Sequence, residues 1–142
     1  AIGRYGSREF ARRVGWLPQQ PPLAASMTVE EVVRLGRYPW RGAFGRHGPR
    51  DARAVVDALD RVGLAAMSER AMTSLSGGER QRAWLAMLLA QEPACLLLDE
   101  PTAALDLKHQ LEVLRLLRSL KETHDLTIVM AIHAWIGPQP WG

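Results

Sequence analysis

Leu75-Ser76-Gly77-Gly78-Glu79-Arg80-Gln81 opens directly onto an apolar helical run that ends near Pro93, and Cys95-Leu96-Leu97-Leu98-Asp99-Glu100-Pro101 follows it. The first segment predicts a helix N-terminus, because Ser76 is a good N-cap and small residues let backbone amides approach a ligand closely. Free N–H groups and the positive end of the helix dipole favour an anion there, so a phosphate fits at Ser76 to Gly78. The second segment predicts a buried parallel strand whose C-terminal end delivers two carboxylates into a site. Side chains alternate along a strand, so the two acids need not share a role. Asp99 suits a hard cation such as Mg²⁺, and Glu100 suits a base or a water-positioning group. Taken alone, an S-G-G start also describes an ordinary cap, and an acidic pair also describes a solvated strand end. Together, with Asp99 eighteen residues past Gln81, they favour an α/β fold with a functional site.

Working outward, Val14 to Leu17 predicts a short strand, which Pro18-Gln19-Gln20-Pro21-Pro22 stops in a loop. Thr28 and Glu31 have capping-box spacing, so a helix is expected from about Val29 to Leu35. Gly36-Arg37-Tyr38-Pro39-Trp40 breaks it. Pro49 starts the next helix, along which Ala52, Val55, Val56, Leu59 and Val62 repeat at helical spacing up to Gly63. Downstream, Leu111, Val113, Leu114, Leu116, Leu117 and Leu120 read as the packing face of a helix, too short in heptads for a coiled coil, and Thr127 to Ile132 reads as a strand.

A chain of 142 residues with 47% hydrophobic and 23% charged residues has the balance of one globular domain, which excludes disordered and collagen-like classes. The longest uninterrupted apolar stretch, Ala83 to Ala90, is far short of the ~20 residues that span a bilayer. One cysteine, Cys95, excludes an internal disulfide framework, suggests a reducing compartment and reads as a small core residue. Ala1 to Phe10 has no signal-peptide core, and a start at Ala rather than Met leads us to expect a longer parent protein. Net charge is +3, and sixteen of the eighteen bases are arginine. They are scattered and carry no interleaved aromatic pattern, so no nucleic-acid partner is expected. His47, His109 and His124 lack metal-ligand spacing and read as surface residues.

The motifs together resemble those of ABC-type ATPases. LSGGERQ is similar to the signature, LLLDEP to Walker B, and Ala104-Leu105-Asp106 to the D-loop; Gln19 resembles the Q-loop glutamine and His133 the H-loop histidine. Gly36 to Trp40, with the wording LSGGERQRAW, is similar to the ATP-binding subunits of bacterial iron-siderophore, haem and cobalamin importers. The resemblance implies a partial P-loop NTPase-like ABC ATPase domain: parallel core strands, a helical subdomain over about 20–90, and a core segment over about 91–133. It implies ATP and Mg²⁺ as cofactors of the complete domain. Ser76, Gly77 and Gly78, with Gln81 beside them, would contact the γ-phosphate held by a second ATP-binding subunit in a head-to-tail homodimer. Asp99 and Gln19 would lie around Mg²⁺, Glu100 would polarise the attacking water, His133 would contact the γ-phosphate, and Asp106 would reach across the dimer. An integral membrane permease would be the docking partner and a substrate-binding protein an indirect one. The implied location is cytoplasmic, peripheral on the inner face of the plasma membrane.

Two departures from the family accompany the matches. No G-x-x-x-x-G-K-[ST] occurs, so this chain alone is not expected to bind or hydrolyse ATP efficiently. Residues 134–142, with two prolines and two glycines, do not continue the family's helix after His133. A piece of an importer ATPase is the first reading. A non-enzymatic remnant, at most docking on a permease or an intact partner subunit, is the second.

Overall fold

The computed structural model describes residues 6–42 and 44–132; His133 and the tail 134–142 lie outside them. Strands β1 (Val14–Leu17), β2 (Cys95–Asp99) and β3 (Thr127–Ala131) form one parallel sheet in the order β1-β2-β3. Helix α1 (Ser7–Arg13) leads into β1. Helices α2 (Val29–Leu35), α3 (Tyr38–Arg41), α4 (Pro49–Arg61) and α5 (Gly77–Ala90) fill the connection to β2, and α6 (Leu107–Thr123) fills the connection to β3. This is the α/β architecture expected from the sequence. Among the described residues, no helix is long and apolar enough to cross a membrane.

Local chemistry sets most helix starts. Thr28 Oγ1 accepts the Glu31 N–H at 3.2 Å while the Glu31 carboxylate accepts the Thr28 N–H at 2.8 Å, the capping box that the spacing predicts. It starts α2, which buries Val29, Val32 and Val33. In α4 the buried set is Ala54, Val55, Ala58 and Leu59, followed by Val62, whereas Ala52 and Val56 are exposed. The stripe is rotated from the expected one because α4 packs on both α2 and α5, and alanines at 54 and 58 allow that approach. Helix α5 is buried nearly all round, with Ala83, Trp84, Leu85, Ala86, Leu88, Leu89 and Ala90 inside. It is the axis on which α2, α4, α6 and β1 pack.

The Gly36-to-Trp40 stretch, read from the sequence as a break, is a clamp. A Cβ at Gly36 would run into the Met87 carbonyl of α5, so only glycine permits this crossing. Arg37 is 1% exposed and donates to Asp51 Oδ1 at 2.7 Å, to the Ala90 carbonyl at 2.7 Å and to Glu92 Oε2 at 2.8 Å. It thus joins the start of α4 to the end of α5. Trp40 Nε1 donates to the Gln91 carbonyl at 2.7 Å, and Arg12 Nε donates to the Pro39 carbonyl at 2.9 Å. Burial pushes the Asp51 carboxyl upward, but the Arg37 hydrogen bond, the Gly48 N–H and the Arg37 charge outweigh it and hold Asp51 below the usual carboxylate range. Helix α1, which the sequence reading did not anticipate, buries none of its residues; beside the local Glu9–Arg13 pair at 3.2 Å it is tied to distant segments by Arg12 and by Gln91 Nε2, which donates to the Ala11 carbonyl.

The sheet has two unlike faces. Leu17, Leu96 and Leu98 belong to the core, and Gly15 is glycine because a Cβ would meet Leu96 at 2.8 Å and Leu88 of α5 at 3.4 Å. On the opposite face, register places Trp16 beside Leu97 and Leu97 beside Val129, at 62%, 37% and 52% exposure. Cys95 lies half-buried on that side and is not a core residue. Helix α6 buries Val113, Leu117 and Leu120, while Leu111 and Leu114 face out, so half of the leucine-rich set makes the core and Leu116 packs at its edge.

Candidate functional site

The site forms where β1 and β2 end side by side. Leu17 and Leu98 are register partners, so Gln19 and Glu100, each two residues further on, emerge at the same edge. Gln19 Nε2 donates to Glu100 Oε2 at 2.5 Å across 81 residues of sequence. Asp99 closes β2, but Glu100 has left the strand: its backbone is left-handed at φ 44°, and its N–H donates to the Ala131 carbonyl at 2.8 Å. Strand alternation alone therefore does not separate the two acids. A left-handed non-glycine residue costs about 1–3 kcal/mol, and such strain concentrates at functional sites.

Gln19 and Glu100 share a cleft of about 380 Å³ with Gly77, Arg80, Gln81 and Leu105. Four of the sequence-predicted residues, Gln19, Gly77, Gln81 and Glu100, thus line one space. Arg80 joins them without having been singled out. Ser76 and Gly78 stand in the same first turn of α5, outside the lining, as do Asp99 at the strand end and Asp106 at the start of α6. His133 lies outside the described residues.

Two helix starts frame the cleft, each with an internal anion. Ser76 Oγ accepts the Glu79 N–H at 3.2 Å, and Glu79 Oε2 accepts the Ser76 N–H at 2.9 Å, a second capping box whose S-x-x-E spacing was readable in the sequence. The Ser76 N–H holds the Glu79 carboxyl below its ordinary value. Asp106 caps α6 by accepting the His109 N–H at 3.0 Å, and that bond, followed by the His109 ring, lowers its pKa as well. Gly77 is exposed and Gly78 buried, so the two signature glycines face different surroundings.

Among the described residues, no group of three or more His, Cys, Asp or Glu is arranged to hold a metal ion. Asp99 and Gln19 offer hard oxygen donors at one sheet edge, which fits Mg²⁺, an ion that takes one or two protein ligands and completes its shell with phosphate and water.

A family model described as ABC transporter matches residues 2–103. The chain belongs to the ABC transporter family. It is 46% identical over 133 residues to the iron(3+)-hydroxamate import ATP-binding protein FhuC of Bacillus subtilis (strain 168), covering 94% of this chain and 49% of that one. With the ferric enterobactin transport ATP-binding protein FepC of Escherichia coli (strain K12) it shares 43% identity over 132 residues, 93% of this chain and 49% of that one. A solved inward-facing structure of a metal-chelate type ABC transporter superposes with a TM-score of 0.80 at 36% identity, covering 85% of this chain and 49% of that one. This ABC transporter chain therefore spans about half the length of the curated relatives it matches.

Proposed function

We propose that this chain is part of the ATP-hydrolysing subunit of a bacterial importer for an iron-siderophore or a related metal chelate, acting on the cytoplasmic side of the membrane. The observation that carries the reading is the Gln19–Glu100 contact, which joins two distant motifs at the mouth of a cleft also lined by Gly77 of α5. The named relatives, ATP-binding proteins for iron(3+)-hydroxamate import and ferric enterobactin transport, support the substrate class.

In the whole subunit, Asp99 and Gln19 would hold Mg²⁺, which neutralises developing phosphate charge when bound. Glu100 would accept a proton-side hydrogen bond from the attacking water, and Gln19 would fix the carboxylate that does so. Ser76, Gly77, Gly78 and Gln81 would face the γ-phosphate on a second subunit, His133 would contact that of its own site, and Asp106 would approach the partner. Residues of about 20–90 would form the helical subdomain that docks on the permease, which receives the chelate from a substrate-binding protein. Catalysis on this reading is positioning and electrostatics, with no covalent intermediate on the protein.

The test is ATP turnover by the assembled transporter that contains this chain. Glu100→Gln is expected to lower kcat by about a hundredfold or more while nucleotide still binds. Turnover unchanged by that substitution, or an assembly that never hydrolyses ATP, removes the reading in favour of a non-enzymatic remnant.

A further inference from the structure

The loop from Pro101 to Leu105 is held by two neighbouring side chains in the first turn of α6. Gln110 Nε2 donates to the Leu105 carbonyl at 2.8 Å and to the Thr102 carbonyl at 3.3 Å. His109 Nδ1 lies 2.7 Å from Asp106 Oδ1, the oxygen that also accepts the His109 N–H. An ionised carboxylate only accepts, so the ring carries its proton on Nδ1 and its other edge is turned elsewhere. That edge meets α5. A Cβ on Gly78 would stand 2.8 Å from His109 Cδ2, closer than side chains tolerate, and 3.2 Å from Cγ, a tight contact that makes the ring or the helix give way. At Gly77 the corresponding Cβ would be 3.5 Å from Leu105 Cδ2, an ordinary contact. The two glycines of one motif thus answer to different constraints, and the sequence reading of His109 as a surface residue is incomplete.

We propose that His109 is a positioning residue that locks the loop ending at Asp106 to the first turn of α5, and that Gly78 is glycine because the His109 ring occupies the place of its Cβ. The contact itself stands on the geometry. Its consequence rests on the ATPase reading: Ser76, Gly77 and Asp106 are presented together as one rigid edge.

A double-variant cycle of Gly78→Ala and His109→Ser tests it by three readouts. In the 142-residue chain, His109→Ser should shift the Gly77 and Gly78 amide resonances, and the wild-type ring should show its proton on Nδ1. Gly78→Ala should lower the melting midpoint in the wild-type background and leave it unchanged once residue 109 is serine. In the transporter assembly, His109→Ser should reduce kcat on the order of tenfold with KM for ATP nearly constant, since misplaced groups cost turnover more than binding. If Gly78→Ala does not fold alone, recovery of folding in the double variant supports the proposal. Losses that add in melting midpoint, a kcat and KM unchanged by His109→Ser, or a double variant that stays unfolded while His109→Ser folds, overturn it. Absence of turnover in the wild type strikes the ATPase reading instead, and leaves the melting and resonance cycle to decide the contact.

Discussion

The helical connection between β1 and β2 is packed on all its inner surfaces, whereas the sheet it interrupts is packed on one face. Val29, Val32, Val33, Leu64 and Leu85 are fully buried, and even a guanidinium, Arg37, is enclosed with its partners supplied. In β2, by contrast, Leu96 and Leu98 are core while Leu97 between them looks out beside Trp16 and Val129. Parallel sheets of α/β proteins ordinarily carry cover on both faces. The difference teaches that burial here follows helix α5: the faces turned toward it are sealed, and the sheet face turned from it is not.

The sharpest way to break that contrast is Arg37→Ala. It strands Asp51 beside a buried void and leaves the Ala90 carbonyl without its donor, so a loss of about 3–5 kcal/mol is expected from urea unfolding. A loss below about 1 kcal/mol would mean that the clamp is decorative. The same pair has a pH signature. Asp51 titrates lower in the folded state than its ordinary 3.8, so the stability it contributes is complete above that value and is lost as pH falls through the depressed one. In Arg37→Ala, this acid-side loss should shrink.

Next in size is Leu98→Ala, which removes a side chain 2% exposed in the middle of the core and should cost about 2–5 kcal/mol in the same measurement. Gly36→Ala follows at about 1–3 kcal/mol, because its methyl group would force α2 away from the Met87 carbonyl. Unchanged stability there would show that the two helices have slack.

These positions also mark what the sequence made legible. Strand Val14–Leu17 and helix Val29–Leu35 were readable because caps, prolines and apolar runs are local signals, and the cleft residues Gln19, Gly77, Gln81 and Glu100 because their motifs keep fixed spacing. Arg37 was not legible as a clamp: its partners Asp51 and Glu92 lie 14 and 55 residues away, and no local rule distinguishes a buried arginine from the solvated ones around it. The rotated stripe of α4 has the same cause, since two neighbours, α2 and α5, decide which of its faces is inside. His109 does lie at the surface, as read, but its packing on Gly78 was not legible, because that contact shows itself by a missing Cβ, which leaves no trace in a sequence pattern.

The smallest expected effect tests the open face directly. Leu97→Thr and Val129→Thr keep β-branched or strand-compatible shapes and place a hydroxyl where solvent already reaches, so each should change stability by no more than about 0.5 kcal/mol. Leu97 and Leu98 are adjacent on one strand and are the same residue type, and they differ in the face they occupy, so Leu97→Ala beside Leu98→Ala isolates the face as the variable. If Leu97→Thr costs as much as Leu98→Ala, the Trp16–Leu97–Val129 row is covered in solution, and the contrast between the sealed helices and the half-covered sheet disappears. If it costs nothing in this chain yet several kcal/mol when the chain is part of its transporter, the row is a surface that assembly buries.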